Sequence, residues 1–150
     1  NREEEIDRQL ESLVAEGRLS PSWRESIFLP RLTAFFDTSL ARRMSLAGER
    51  GALYREQPFV LGLPASRLGE EFPEKEQVLI QGIIDVFFEE DQKIIVADYK
   101  TDVVKSEKEL ISRYQVQLDY YAEALERLTG KKVVEKIIYS FALGKEIMLY

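Results

Sequence analysis

Apolar residues recur at helical spacing from Glu3 to Glu16, at Ile6, Leu10, Leu13 and Val14, and Gly17 follows as a stop. This predicts a short amphipathic helix. Ser20-Pro21 then offers an N-cap and a first-turn proline, and Pro30 interrupts the next apolar stretch. Residues 20–47 therefore predict two or three short helices that end at Gly48. The pattern changes at Leu53, where Tyr54, Phe59, Val60 and Leu61 read as a strand, with Pro58 favouring an edge or an end. A loop over 64–73 closes it. Two dense apolar runs follow, Val78 to Phe88 and Ile94 to Tyr99, separated by Glu89-Glu90-Asp91-Gln92, which predicts a long hairpin with a four-residue loop. Ser106 with Glu109 forms a capping-box pattern, and Gly130 sits where a C′ glycine belongs, so a helix of about 23 residues lies between them. Val133 to Leu143 reads as a strand, and Gly144-Lys145 turns the chain into a last short strand ending at Tyr150. The strands are apolar on both faces, as expected of a mixed sheet flanked by helices in an α/β domain.

Composition narrows the chemistry. A chain of 150 residues fits one domain, with 1–50 as a helical lead-in and 53–150 as the core. It holds no cysteine and no histidine, so disulfides, thiolate sites and imidazole ligands are excluded. Any metal site must be built from oxygen donors, which suit Mg²⁺, Ca²⁺ or Mn²⁺. No apolar run reaches the roughly 20 residues of a membrane span and no leader pattern opens the chain, so the expectation is a cytoplasmic protein with no membrane partner. The chain also begins without Met, which suggests a piece of something longer. A formal charge of −6 argues against a freestanding DNA binder held by bulk electrostatics.

Two carboxylates break the apolar hairpin: Asp85 within Gly82-Ile83-Ile84-Asp85-Val86 and Asp98 within Val96-Ala97-Asp98-Tyr99-Lys100. Ionised acids in such surroundings need a partner or a cation. Side chains alternate along a strand, so Asp98 and Lys100 share a face. A four-residue loop sets Phe88 against Lys93 and Asp85 against Val96, with the two acids as diagonal neighbours roughly 7 Å apart. A register change by one residue would separate them. Two acids able to fix a metal, with an ammonium beside them, suit hydrolysis of a phosphodiester; a buried ion pair is the bland alternative.

Gly82-Ile83-Ile84-Asp85, followed by Asp98-Tyr99-Lys100-Thr101, resembles the G-x-x-D and D-Y-K motifs of RecB-type PD-(D/E)XK nucleases. Gln117-Leu118-Asp119-Tyr120-Tyr121 resembles their Q-x-x-x-Y motif, and Arg55-Glu56-Gln57-Pro58-Phe59 resembles the strand before the hairpin in the nuclease domain of AddA subunits. The resemblance spans roughly 53–143 and implies a restriction-endonuclease-like core. It implies that Asp85 and Asp98 ligate Mg²⁺ or Mn²⁺, that the main-chain carbonyl of Tyr99 adds a ligand, and that Lys100 is catalytic. Gln117 and Tyr121 would face the site or the DNA, although Tyr114, Leu118, Tyr121, Leu125 and Leu128 also make a core-facing stripe. Glu56 is either near the site or merely structural, and the structural role is preferred.

The function so implied is metal-dependent cleavage of single-stranded DNA delivered by an attached helicase, in double-strand break repair and recombination. The strand cut would be the one ending 3′, ATP would serve only the motor domain of the parent chain, and an AddB-like second subunit would be the partner. Family members usually carry a metal-binding histidine on an upstream helix, and this chain contains none. Either the chain begins just after that residue, or the ligand is lost and the domain is a degenerate module kept for subunit or DNA-threading contacts. A self-contained phage-type exonuclease or Cas4-like enzyme is a third reading, disfavoured by the acidic surface and the lack of cysteines.

Overall fold

Ser20 and Ser106 each cap a helix with a side-chain oxygen, as the sequence predicts, and Thr38 caps a third that the sequence did not mark. A computed structural model describes residues 1–71, 73 and 75–150. The helical lead-in comprises α1 (Arg2–Ala15), α2 (Pro21–Ser26), α3 (Leu29–Phe36) and α4 (Ser39–Glu49). The core then runs β1 (Leu53–Pro64), a short 3₁₀ turn at Ala65–Arg67, β2 (Gln77–Glu90), β3 (Lys93–Lys100), α5 (Glu107–Thr129), β4 (Val133–Ser140) and β5 (Lys145–Leu149). Position 72 of the expected 64–73 loop lies outside the described residues. β4 ends three residues short of the expected Leu143, because 141–144 form the turn into β5.

The five strands form one sheet in chain order, β1-β2-β3-β4-β5. Only β3 and β4 are parallel, and α5 is the crossover between them. Pro58 lies on β1, an edge strand, where the missing N–H costs least. Each face of the sheet has its own core. α5 lays Leu110, Leu118, Tyr121 and Leu125 on Phe87, Ile94, Val96 and Ile138. On the other face α3 and α4 place Phe35, Leu40, Met44 and Ala47 on Val86, Phe88, Ile95, Ala97 and Tyr139. Such two-sided burial explains why the strands read as continuous apolar runs. Among the described residues no helix is long and apolar enough to cross a membrane.

The β2–β3 hairpin corrects the expected register. Its loop is two residues, Asp91 and Gln92, with φ of 50° and 64°, and Glu90 pairs with Lys93. Two consecutive left-handed residues are the signature of the type I′ turn, whose twist matches that of the strands. Val96 therefore faces Phe87, not Asp85, and the register carried one step past Val86–Ala97 brings Asp85 across from Asp98. The shift is by two residues, so the face is unchanged while the separation shortens.

A second irregularity lies in the β1–β2 pair. Phe59, Leu61 and Leu63 of β1 and Ile80 of β2 pack with Ala124 of α5, yet beyond Glu56 the side chains that reach this face are Tyr54 and Phe87, whose rings stack at 4.8 Å. Alternation thus slips by one position on both strands, between Arg55–Val86 and Gln57–Ile84. Glu56 sits at the slip with φ of 51°. A left-handed residue inside a strand re-aims the chain, as a bulge does.

Candidate active site

Asp98 is where the sheet buries charge, with its side chain only 3% exposed. Its Oδ2 lies 2.7 Å from the Lys100 ammonium. That contact lacks hydrogen-bond directionality, so Oδ2 has no true donor among the described residues. Asp85 comes from the neighbouring strand. Its Oδ2 accepts the main-chain N–H of Tyr99 at 2.9 Å, which anchors the carboxylate at the point where the β2–β3 ladder gives out. Asp98 is pushed up to about 7, first by burial and then by the neighbouring Asp85 carboxylate, against the lowering pull of Lys100. Asp85 is thus near enough to oppose the ionisation of Asp98.

The lysine is held from three sides. Its Nζ donates to Gln117 Oε1 at 3.1 Å, pairs with Asp98, and sits 4.0 Å from the centre of the Tyr114 ring. Tyr114 is in turn fixed by its hydroxyl, which donates to Asp102 at 2.7 Å, while Arg113 binds the same carboxylate oxygen at 3.1 Å. Asp102 is correspondingly lowered, first by Tyr114. Tyr114 and Gln117 are one turn apart on α5, so a single helix face aims both at Lys100. Lys100 is thereby confined to one position.

Tyr121 lies one turn further along α5, buried, with its ring edge-on to Phe59 at 5.4 Å. Burial raises it to about 12, and the negative charges of Asp98 and Asp85 add to that effect, so the phenol borders the acids. Phe59 reaches this position because Gly82 lies beneath it: a Cβ there would approach Phe59 Cε1 to 3.1 Å. The glycine of G-x-x-D thus makes room for an aromatic wall. Its three-residue offset from Asp85 would put the two on opposite faces of a regular strand, and the slip at Glu56 brings both to the α5 side.

Five of the residues expected from sequence therefore converge on one face: Asp85, Asp98, Lys100, Gln117 and Tyr121. Glu56 does not join them. It is exposed on the edge strand at the register position of Asp85 and makes no hydrogen bond or ion pair among the described residues. Tyr99 turns its side chain to the opposite face, where its hydroxyl lies 3.7 Å from Met44 Sδ. Tyr114 and Asp102 join the site without being marked as site residues by the sequence. The spacing of Tyr114, Gln117 and Tyr121 at three and four residues carries a signal, yet it also describes a core stripe.

The donor set fits a hard cation in part. Two adjacent carboxylates, one with a buried oxygen lacking a directional donor, are the oxygen ligands that such an ion takes. Among the described residues no group of three or more acidic side chains adds to them.

A family model described as "PD-(D/E)XK nuclease superfamily" matches residues 1–146. The chain is 40% identical over 91% of its length to the A subunit of the ATP-dependent helicase/nuclease of Lachnoclostridium phytofermentans, and covers 12% of that protein. It is likewise 40% identical to the proteins of the same name from Clostridium botulinum, over 97% of this chain, and Acetivibrio thermocellus, over 95%. In both cases it again spans 12% of the relative.

Proposed function

The chain belongs to the PD-(D/E)XK nuclease superfamily, and from that premise we propose that it hydrolyses phosphodiester bonds of single-stranded DNA with a divalent cation held at Asp85 and Asp98. The observation that supports this is the convergence of the two acids and Lys100 beneath Gln117. Mg²⁺ or Mn²⁺ would be bound by both carboxylates and the Tyr99 carbonyl, and would polarise the phosphate and lower the pKa of a bound water.

Lys100 does the work at the other side of the phosphate. Pinned by Asp98, Gln117 and the Tyr114 ring, it has lost the rotamer freedom of an ordinary lysine before substrate arrives. Its ammonium orients the attacking water or offsets the charge that develops on the phosphate oxygens. Asp85 keeps its carboxylate in place through the Tyr99 N–H, and Tyr121 with Phe59 limits solvent access from the α5 side.

The relatives' name joins a nuclease to an ATP-dependent helicase. The proposal extends to that setting: a motor delivers the strand, a second AddB-like subunit completes the machine, and the cleavage serves break repair and recombination. DNA grip by the motor reconciles cleavage with a net charge of −6. The test uses Asp98→Ala in the helicase–nuclease polypeptide. Cleavage should be lost while ATP-driven unwinding persists, with Lys100→Ala losing cleavage and keeping more metal affinity. Degradation at the unaltered rate by the Asp98→Ala protein would overturn the assignment.

That only two acids meet at the site among the described residues favours a second reading, a module retained for contacts rather than cleavage. Calorimetric titration with Mn²⁺ separates the two. On the first reading this chain binds the ion and Asp98→Ala abolishes that binding; on the second, the chain neither binds the ion nor cuts.

A further inference from the structure

A groove of about 330 Å³ opens between α5 and the β1–β2 pair, on the same face of the sheet as the carboxylates. Gln117, Tyr120 and Val116 form its helix side, and Phe59, Ile80 and Gly82 its sheet side. It adjoins a shallower apolar depression along the strand edge that takes in Pro58, Val60 and Ile83. Val60 and Ile83 are 65% and 58% exposed there and alternate onto the opposite face of the sheet from α5.

We propose that this groove seats an unpaired nucleobase of the strand being cut, next to the scissile phosphate; the proposal rests on the nuclease reading above. Charge is what divides the surface. Lys100 and the two acids lie at one end, where a phosphate and its cation belong, whereas none of the side chains lining the groove is ionised. A nucleotide has the same division, an anionic phosphate joined to a flat and largely apolar base. Gln117 joins the two ends: its Oε1 accepts from Lys100, which leaves its amide N–H₂ as a donor to a base. Phe59, whose ring lies over Gly82, and Tyr120 offer aromatic surface against which a base can lie flat. A paired base cannot enter, because its Watson–Crick edge is engaged and its neighbours are stacked. The groove therefore selects single strands over duplex through stacking rather than sequence.

The test uses the 150-residue chain with a fluorescein-labelled oligothymidylate that contains one 5-iododeoxyuridine, in Ca²⁺ so that binding is read without cleavage. Irradiation is expected to cross-link Tyr120 or Phe59, identified by peptide mass spectrometry. Tyr120→Ala should weaken single-strand binding about tenfold or more, the loss expected when a stacked base loses its aromatic partner, and Tyr120→Phe should retain it. Val116→Glu, at an exposed helix position that tolerates a charge, should also weaken binding, and a blunt duplex should respond to none of these variants. Cross-links confined to other aromatic sites such as Trp23 and Phe28, or unchanged binding by Tyr120→Ala, would overturn the groove and leave the nuclease reading standing. Absence of any cross-link in the groove, in this chain and in the helicase–nuclease polypeptide alike, would also overturn the groove, whereas failure of that polypeptide to cleave DNA in Mg²⁺ or Mn²⁺ would overturn both.

Discussion

Replacing Asp98 by Asn should make the metal-free protein more stable at alkaline pH while removing its capacity to hold a cation. Asp98 is ordinarily ionised near 3.8, and in the folded chain burial and Asp85 carry it to about 7. Between those values the folded state binds a proton that the unfolded state has released. Stability contributed by this group therefore falls as pH rises through the window, and the full penalty is present above it. Roughly three pKa units at about 1.36 kcal/mol each set a ceiling of about 4 kcal/mol. The substitution returns part of this, because the Lys100 ammonium loses its carboxylate partner. A net gain of about 1–2 kcal/mol remains, which for a chain of this size raises Tm by roughly 2–8 °C. Scanning calorimetry in EDTA at about pH 5 and about pH 8 measures it: the difference should be large at the higher pH and small at the lower, where Asp98 already carries its proton. Added Mn²⁺ should then narrow or reverse the order, since only the unsubstituted protein binds it. An Asn variant less stable than the parent at pH 8, in a parent indifferent to pH, would refute the electrostatic account of the site.

Gly82→Ala should cost about 1 kcal/mol, because a Cβ 3.1 Å from Phe59 Cε1 forces the ring to tilt away from Tyr121; urea unfolding checks it, and a neutral result would mean that the ring yields freely. Gln92→Gly should stabilise the hairpin by about 0.5–1 kcal/mol, since a non-glycine residue at φ of 64° carries a left-handed penalty that glycine relieves, less the entropy glycine adds to the unfolded chain. A higher urea midpoint at constant slope is the expected readout.

Much of this architecture is legible along the chain. Periodicity and caps locate α5 to the residue, because the Ser106 side-chain oxygen accepts the Glu109 N–H and Gly130 takes the left-handed position, both of them local events. The return arm of the capping box differs: Glu109 accepts the N–H of Lys105, one residue earlier than the pattern implies. The shared face of Asp85, Asp98 and Lys100 is also legible, since the side on which a residue falls depends only on whether the register sum is odd or even, and shortening the loop by two residues preserves it. The distance between the acids is not, because it depends on the actual loop length. Tertiary structure alone decides how Gly82 and Asp85 come to lie on one side. Strict alternation separates them, and the slip on paired strands at Glu56 reunites them. It also decides that Tyr114, one apolar position among several on α5, meets Lys100 while Leu118 meets the core. Period and parity are properties of a single strand or helix, but which side chains touch is set by how α5 lies across the sheet, and that follows from packing between segments distant in sequence.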